Sequence, residues 1–171
     1  MPATPEQLFA YLDRLGIAHE TVEHPPFFKV EEGREWHHLI PGLHCKNLFM
    51  KDRKGAIRLA VVPADKRVDL SGLEKQLGAP RLSFAKPEVL WEVLGLTPGS
   101  VTPFGLINDA QHRVTVVLDE DLFAFDRINC HPLHNAASTV IGTDDLLRFV
   151  RDLGYAPIIV RIPERPSAQQ E

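Results

Sequence analysis

The sequence predicts a single α+β domain: a mixed, largely antiparallel sheet or partly closed barrel, with helices packed around it. Three observations lead there. Strand-type and helix-type segments are interspersed along the 171 residues. Several strand candidates follow one another too closely for the long crossover that parallel neighbours need. The composition, 44% hydrophobic and 25% charged, is that of an ordinary globular chain with one core.

The elements follow in order. Thr4-Pro5-Glu6-Gln7 is a helix start, with Thr4 as N-cap, Pro5 at the first helical position and Gln7 at the third. Leu8, Leu12 and Leu15 form the apolar stripe of that helix, and Gly16 ends it. Residues 18–24 alternate as a short strand closed by Pro25-Pro26, and 29–38 read as a short helix leaving through Pro41-Gly42. Residues 45–52 and 55–64 are two strands joined at Asp52-Arg53-Lys54-Gly55, a hairpin signal. A helix over 69–78 starts at Asp69 or Ser71 and stops at Gly78; 81–85 is a short strand, and 86–95 is a helix ending in glycine. A Gly/Pro loop then runs into a strand through 96–109, and 112–121 is a clear strand. Two short strands flank His131-Pro132, Thr143-Asp144-Asp145 caps a helix reaching 154, and 156–163 is the last strand. The domain is expected to span 1–163, with 164–171 as a polar tail.

Composition narrows the function classes. No apolar run approaches the roughly 18–20 residues of a membrane span, and the N-terminal run lacks the apolar stretch of a signal peptide. Two cysteines, Cys45 and Cys130, cannot build a disulfide framework, so the expected compartment is the cytoplasm. Net charge is −4, yet the segment from Lys46 to Lys86 carries ten Lys/Arg against four acids. A local basic surface of that kind can bind phosphates on an acidic chain, although scattered solvated side chains give the same count.

Chemistry-bearing patterns are few. Cys130-His131-x-x-His134 has no CxxC or HExxH companion, and Pro132 breaks helical presentation, so no metal is expected. Cys45 lies between His44 and Lys46, but neighbours on a strand point to opposite faces and cannot activate it. No Walker-type loop, GxSxG elbow or dinucleotide fingerprint is present, and no cofactor is expected. Lys46 is the conspicuous residue, because it shares a strand face with Leu48 and Met50. A lysine so placed either holds an anion or carbonyl partner, or packs its stem and reaches water with its amine. The loop Gly99-Ser100-Val101-Thr102-Pro103 can gather backbone N–H groups into a nest for an anion, or be a plain turn.

Taken together, "CKNLFMKD", "RLAVVPADKRVDLSGLEKQLGA", "LGLTPGSVTPFGLIND" and "HPLHNAAST" occur in the order seen in the YbaK-like, prolyl-tRNA-synthetase-associated editing domains. The chain resembles that family over roughly residues 4–163, most closely its freestanding members that clear alanine from mischarged tRNA(Pro). The resemblance implies a YbaK-like fold and hydrolysis of an aminoacyl ester. It implies that Lys46 orients the ester carbonyl and that backbone N–H groups around Gly99 and Ser100 complete an oxyanion hole. His24, Asn47, Leu48, Met50, Val101, Thr102, Pro103, His131, Asn135 and Thr139 are the implied pocket residues. Lys51, Arg53, Lys54 and Arg58 are the candidate contacts to the acceptor end of tRNA(Pro), with prolyl-tRNA synthetase as a candidate partner and a monomer as the expected state. The alternative from another class is a non-catalytic nucleic-acid-binding module that uses the basic 46–86 segment.

Overall fold

The computed structural model describes residues 1–26 and 34–166. Eight strands are present: β1 (His19–Glu23), β2 (Leu43–Lys51), β3 (Ile57–Pro63), β4 (Ser83–Phe84), β5 (Val114–Asp119), β6 (Arg127–Cys130), β7 (Ala137–Gly142) and β8 (Ile158–Val160). They lie in the order β1-β7-β6-β2-β3-β5-β8, with β4 added to β2. The β1–β7, β6–β7, β2–β3 and β2–β4 pairings are antiparallel, whereas β2–β6, β3–β5 and β5–β8 are parallel. The sheet is therefore mixed and open, ending at β1 and β8, and does not close into a barrel.

Four helices cover it: α1 (Pro5–Arg14), α2 (Leu70–Leu77), α3 (Pro87–Leu94) and α4 (Thr143–Asp152). The expected capping box on α1 is formed, with Thr4 accepting from the Gln7 N–H and the Gln7 side chain accepting from the Thr4 N–H. Asp69, rather than Ser71, caps α2 by accepting from the Gly72 N–H, and Gly78 closes that helix in the left-handed region. Gly95 does the same for α3, where a side chain would strain the backbone. Leu8 and Leu12 of α1, Leu90, Val93 and Leu94 of α3, and Leu146, Phe149 and Val150 of α4 join Leu59, Val61, Val116 and Leu118 in the larger core. On the other face α2 brings Leu73 against Met50, Ala60, Val62, Val117 and Ile162, a smaller second core.

Three expectations are corrected. The 103–109 stretch is no strand: Pro103–Asn108 is a 3₁₀ helix capped by Thr102, whose hydroxyl accepts from the Phe104 N–H. Its Pro103 and Gly105 suit a tight turn, and Phe104 and Leu106 bury its apolar side in the larger core. The polar tail begins later than residue 164, because Glu164 bridges Val68 and the Arg165 N–H donates to the Arg67 carbonyl at 2.7 Å. The helix expected over 29–38 falls partly outside the described residues; only a short 3₁₀ turn at 34–36 is seen.

A buried ionic cluster holds the C-terminal segment in place. Lys66 Nζ lies 2.7 Å from Asp119 and 2.8 Å from Asp121, and donates to the Ile162 carbonyl at 2.9 Å. Arg161 reaches the second oxygen of Asp121 at 3.0 Å. A lysine buried to this degree needs that many partners to remain charged.

Candidate active site

The site is organised by an interruption in the sheet. On one side β2 pairs with β3 continuously from Cys45 to Lys51. On the other it pairs with β6 only at Leu43 and His44, and with β4 only at Met50 and Lys51. The Ala85 N–H donates to the Phe49 carbonyl at 3.0 Å. Among the described residues no strand fills the remaining edge at 45–48. A strand edge left open in the middle of a sheet exposes backbone donors and acceptors where a ligand can reach them.

Lys46 and Asn47 flank this gap from opposite faces, as alternation requires. The β2–β6 pairing joins Leu43 with Ile128 and His44 with Asn129, and Cys45 and Cys130, two residues beyond Leu43 and Ile128, face the larger core with them. The Cys45 thiol donates to the Leu43 carbonyl at 3.7 Å, and the neighbouring Cys130 thiol, with burial, holds it well above its ordinary range. A thiol kept protonated is no nucleophile, which removes the cysteine from the chemistry.

His131 is largely enclosed and burial lowers its pKa, so the ring is neutral near pH 7. Its Nδ1–H donates to the Ala137 carbonyl at 2.8 Å, so Nε2 is the acceptor nitrogen. Beside it, with ring centroids 6.0 Å apart, lies buried His24. The Nδ1–H of His24 donates to the Pro25 carbonyl and Nε2 accepts from the Ser138 hydroxyl, both at 2.9 Å. Thr139, expected to line the pocket, instead points into the sheet's other face, fully buried, and bonds Thr21 at 2.8 Å. Ser138, one residue earlier, faces the other way and bonds His24. A one-residue offset on a strand reverses the face, and the sequence motif alone does not fix that offset. Asn135 lies half-buried in the turn between β6 and β7, which exposed His134 stabilises by accepting from the Ala136 N–H at 3.1 Å.

On the opposite face the 99–103 loop meets the gap through Asn47, whose Nδ2 donates to the Val101 carbonyl at 3.1 Å. Asn47 Oδ1 is buried and has no hydrogen-bond partner among the described residues. A buried acceptor without a donor is costly, about 1–3 kcal/mol. The loop supplies fewer donors than its spacing promised: the Ser100 N–H and hydroxyl both donate to the Thr97 carbonyl, at 3.1 and 2.8 Å. Ser100 is thus committed to its own turn. Thr102 and Pro103 are buried and shape the start of the 3₁₀ helix. Gly99 has a φ of 91°, the left-handed region where only glycine is unstrained.

Lys46 lines a cavity of about 490 Å³ with Leu48, Phe84 and the start of α2. Met50, expected in the pocket wall, is fully buried in the second core. Of the four tRNA-contact candidates, Lys51, Arg53 and Lys54 are exposed. Arg58 is not available in the same way, since its guanidinium is bound to buried Asp52 at 2.7 Å. Asp52 also accepts from the Lys54 and Ala56 N–H groups, so this pair builds the hairpin turn. No group of three metal-ligating side chains is found among the described residues, and no helix there is long and apolar enough to cross a membrane.

An open mixed sheet with helices on both faces, and a gap along β2 flanked by Lys46 and Asn47, defines an α+β domain with a candidate polar binding site at that gap. Residues 24–149 match the family described as the aminoacyl-tRNA editing domain. The chain is 38% identical over 157 residues to prolyl-tRNA synthetase associated domain-containing protein 1 of Danio rerio, covering 91% of this chain and 85% of that protein. It is 35% identical over 150 residues to the prolyl-tRNA editing protein ProX of Acetoanaerobium sticklandii, covering 87% and 92%. The crystal structure of "a putative trans-editing enzyme for prolyl tRNA synthetase" superposes with a TM-score of 0.70 at 21% identity, over 96% of this chain and all of that one, which shows the shared fold. The chain belongs to the aminoacyl-tRNA editing domain family.

Proposed function

We propose that this protein hydrolyses the ester of mischarged tRNA(Pro) in trans, with alanine as the amino acid removed. The observation that carries the reading is the gap at 45–48, where Lys46 on one face and the unpaired acceptor of Asn47 on the other bracket an open strand edge. An aminoacyl ester is already activated, so its hydrolysis needs a placed carbonyl, a water or ribose hydroxyl as nucleophile, and stabilisation of the oxyanion. Lys46 supplies the cation for the carbonyl oxygen. Backbone N–H groups of the gap and of the 99–103 loop around Gly99 are the further donors. Asn47 Oδ1 accepts from the substrate, either its α-ammonium group or the ribose hydroxyl. Neutral His131 presents Nε2 as an acceptor nitrogen and adds no positive charge.

Alanine fits a double-sieve rationale. A synthetase site built for proline rejects a smaller side chain weakly, because each missing methylene is worth about 1–3 kcal/mol. A second site too small for the pyrrolidine ring removes the error. The enzyme works in the cytoplasm as a monomer without a cofactor, and Lys51, Arg53 and Lys54 meet the acceptor-stem phosphates. Docking on prolyl-tRNA synthetase brings it to its substrate. Turnover on a panel of Ala-, Cys-, Ser- and Pro-charged tRNA(Pro) tests this: alanine should be released fastest and proline spared. Preferential release of serine or cysteine would overturn the assignment of alanine.

A further inference from the structure

The two cysteines take no part in the hydrolysis, yet the fold brings them together from distant parts of the chain. They are the only two among the 171 residues. Cys45 lies on β2 and Cys130 ends β6, each two residues beyond the parallel pair Leu43 and Ile128, and both pack on the larger core. Adjacent strands run about 4.8 Å apart, inside the roughly 4.4–6.8 Å between Cα atoms that a disulfide spans. The Cys130 thiol adjoins that of Cys45, and both are free. Their neighbours in sequence are Lys46 and His131. Cys130 is 5% exposed, whereas Cys45 is half-buried and begins the stretch of β2 edge that no described strand fills. A water-sized oxidant therefore meets Cys45 first.

We propose that Cys45 and Cys130 form a reversible redox switch, in which hydrogen peroxide converts the pair to a disulfide that ties β2 to β6 and slows the enzyme. The Cys45 sulfur, as its thiolate, attacks peroxide, the O–O bond breaks, and a sulfenic acid forms with release of one water. The Cys130 sulfur then attacks the Cys45 sulfur, the S–OH bond breaks, and a second water leaves. The two thiols give up two protons and two electrons, and peroxide is reduced to two waters. A dithiol reductant reverses the step by exchange. Burial and the adjoining thiol keep Cys45 protonated, so the pair stays reduced under reducing conditions and responds slowly, to sustained peroxide. The bond draws the sulfurs to about 2.05 Å, closer than two thiols in contact. That shifts β2 at the residue before Lys46 and β6 at the residue before His131. A misplacement of about 1 Å in a catalytic site costs up to about a hundredfold in rate. The effect on rate rests on the reading of the chain as a tRNA deacylase; the cross-link itself does not.

The test treats purified protein with hydrogen peroxide, then counts thiols in denaturant and measures the intact mass. Wild type should pass from two thiols to none as a monomer lighter by two hydrogens, and dithiothreitol should restore both thiols. Deacylation of Ala-tRNA(Pro) should fall at least tenfold on oxidation and recover on reduction. The Cys45→Ala/Cys130→Ala variant, shown folded by a thermal melt, retains Met1 and Met50 and should lose less than twofold. Cys130→Ala serves as a second control and should show no loss that dithiothreitol reverses. Thiols that survive peroxide, a disulfide between two chains, or added oxygen in place of lost hydrogen overturns the cross-link. A disulfide that leaves turnover unchanged, or an equal loss in the double variant, overturns the switch. A wild type that forms the disulfide but hydrolyses no aminoacyl-tRNA even when reduced upholds the cross-link and removes the proposed reaction.

Discussion

Replacing Asn47 by Ala separates the catalytic from the structural contribution of the gap. Two terms oppose each other in stability. The Nδ2 bond to Val101, at 3.1 Å, is worth about 1 kcal/mol net. The buried Oδ1 has no partner among the described residues, and its removal relieves a cost of about 1–3 kcal/mol. The variant should therefore melt within a few degrees of wild type, and not below it by the amount a lost core residue would cause. Catalysis should respond differently. If Oδ1 accepts from the substrate's ammonium or hydroxyl, a bond to a charged group worth about 1.5–3 kcal/mol disappears. That corresponds to roughly a 10- to 150-fold fall in kcat/KM. The assay pairs a thermal melt with deacylation of Ala-tRNA(Pro). A variant that unfolds readily yet keeps its kcat/KM would refute the reasoning, because Asn47 would then be only a strut for the loop.

Other outcomes follow from the same geometry. His131 and His44 have pKa values lowered chiefly by burial, so below about pH 6.5 the unfolded chain binds more protons than the folded one. Stability should be level above that pH and decline as the pH falls below it, and His131→Gln should weaken the decline; a decline of unchanged depth would exclude His131 as its source. Lys51→Glu and Lys54→Glu, on the exposed hairpin, should weaken tRNA binding at low salt and flatten its salt dependence. Unchanged binding would place the acceptor stem elsewhere. Arg58→Ala should instead lower the melting temperature, since it strips buried Asp52 of its guanidinium partner, and a wild-type melt would show the hairpin holds without it.

The sequence was most readable where structure is local. The capping box of α1, the glycine stops of α2 and α3, and the β2–β3 hairpin all depend on a few adjacent residues, and each formed where patterns place it. Lys46 was conspicuous because alternation is a local rule. What escaped was long-range. Whether Ser138 or Thr139 faces the site depends on the register of β7 against β1 and β6, set by contacts more than a hundred residues apart in the case of β1. The use of the Ser100 N–H inside its own turn could not be told from an open nest, since both need the same Gly and Pro. The gap along β2 among the described residues lies between its pairings with β6 and β4, two segments distant in sequence from it and from each other. The grouping of Arg67 with Arg165 needed the C-terminal segment to fold back, which a polar composition did not announce.

The central claim is that Lys46 is the cation that places the ester carbonyl. It is tested most directly by single-turnover hydrolysis of Ala-tRNA(Pro) with wild type and Lys46→Ala, after a melt has shown the variant folded. Loss of one oxyanion-stabilising donor costs roughly a hundred- to thousandfold in rate, and that fall is the predicted result. Hydrolysis by the folded variant within a few-fold of wild type would contradict the account.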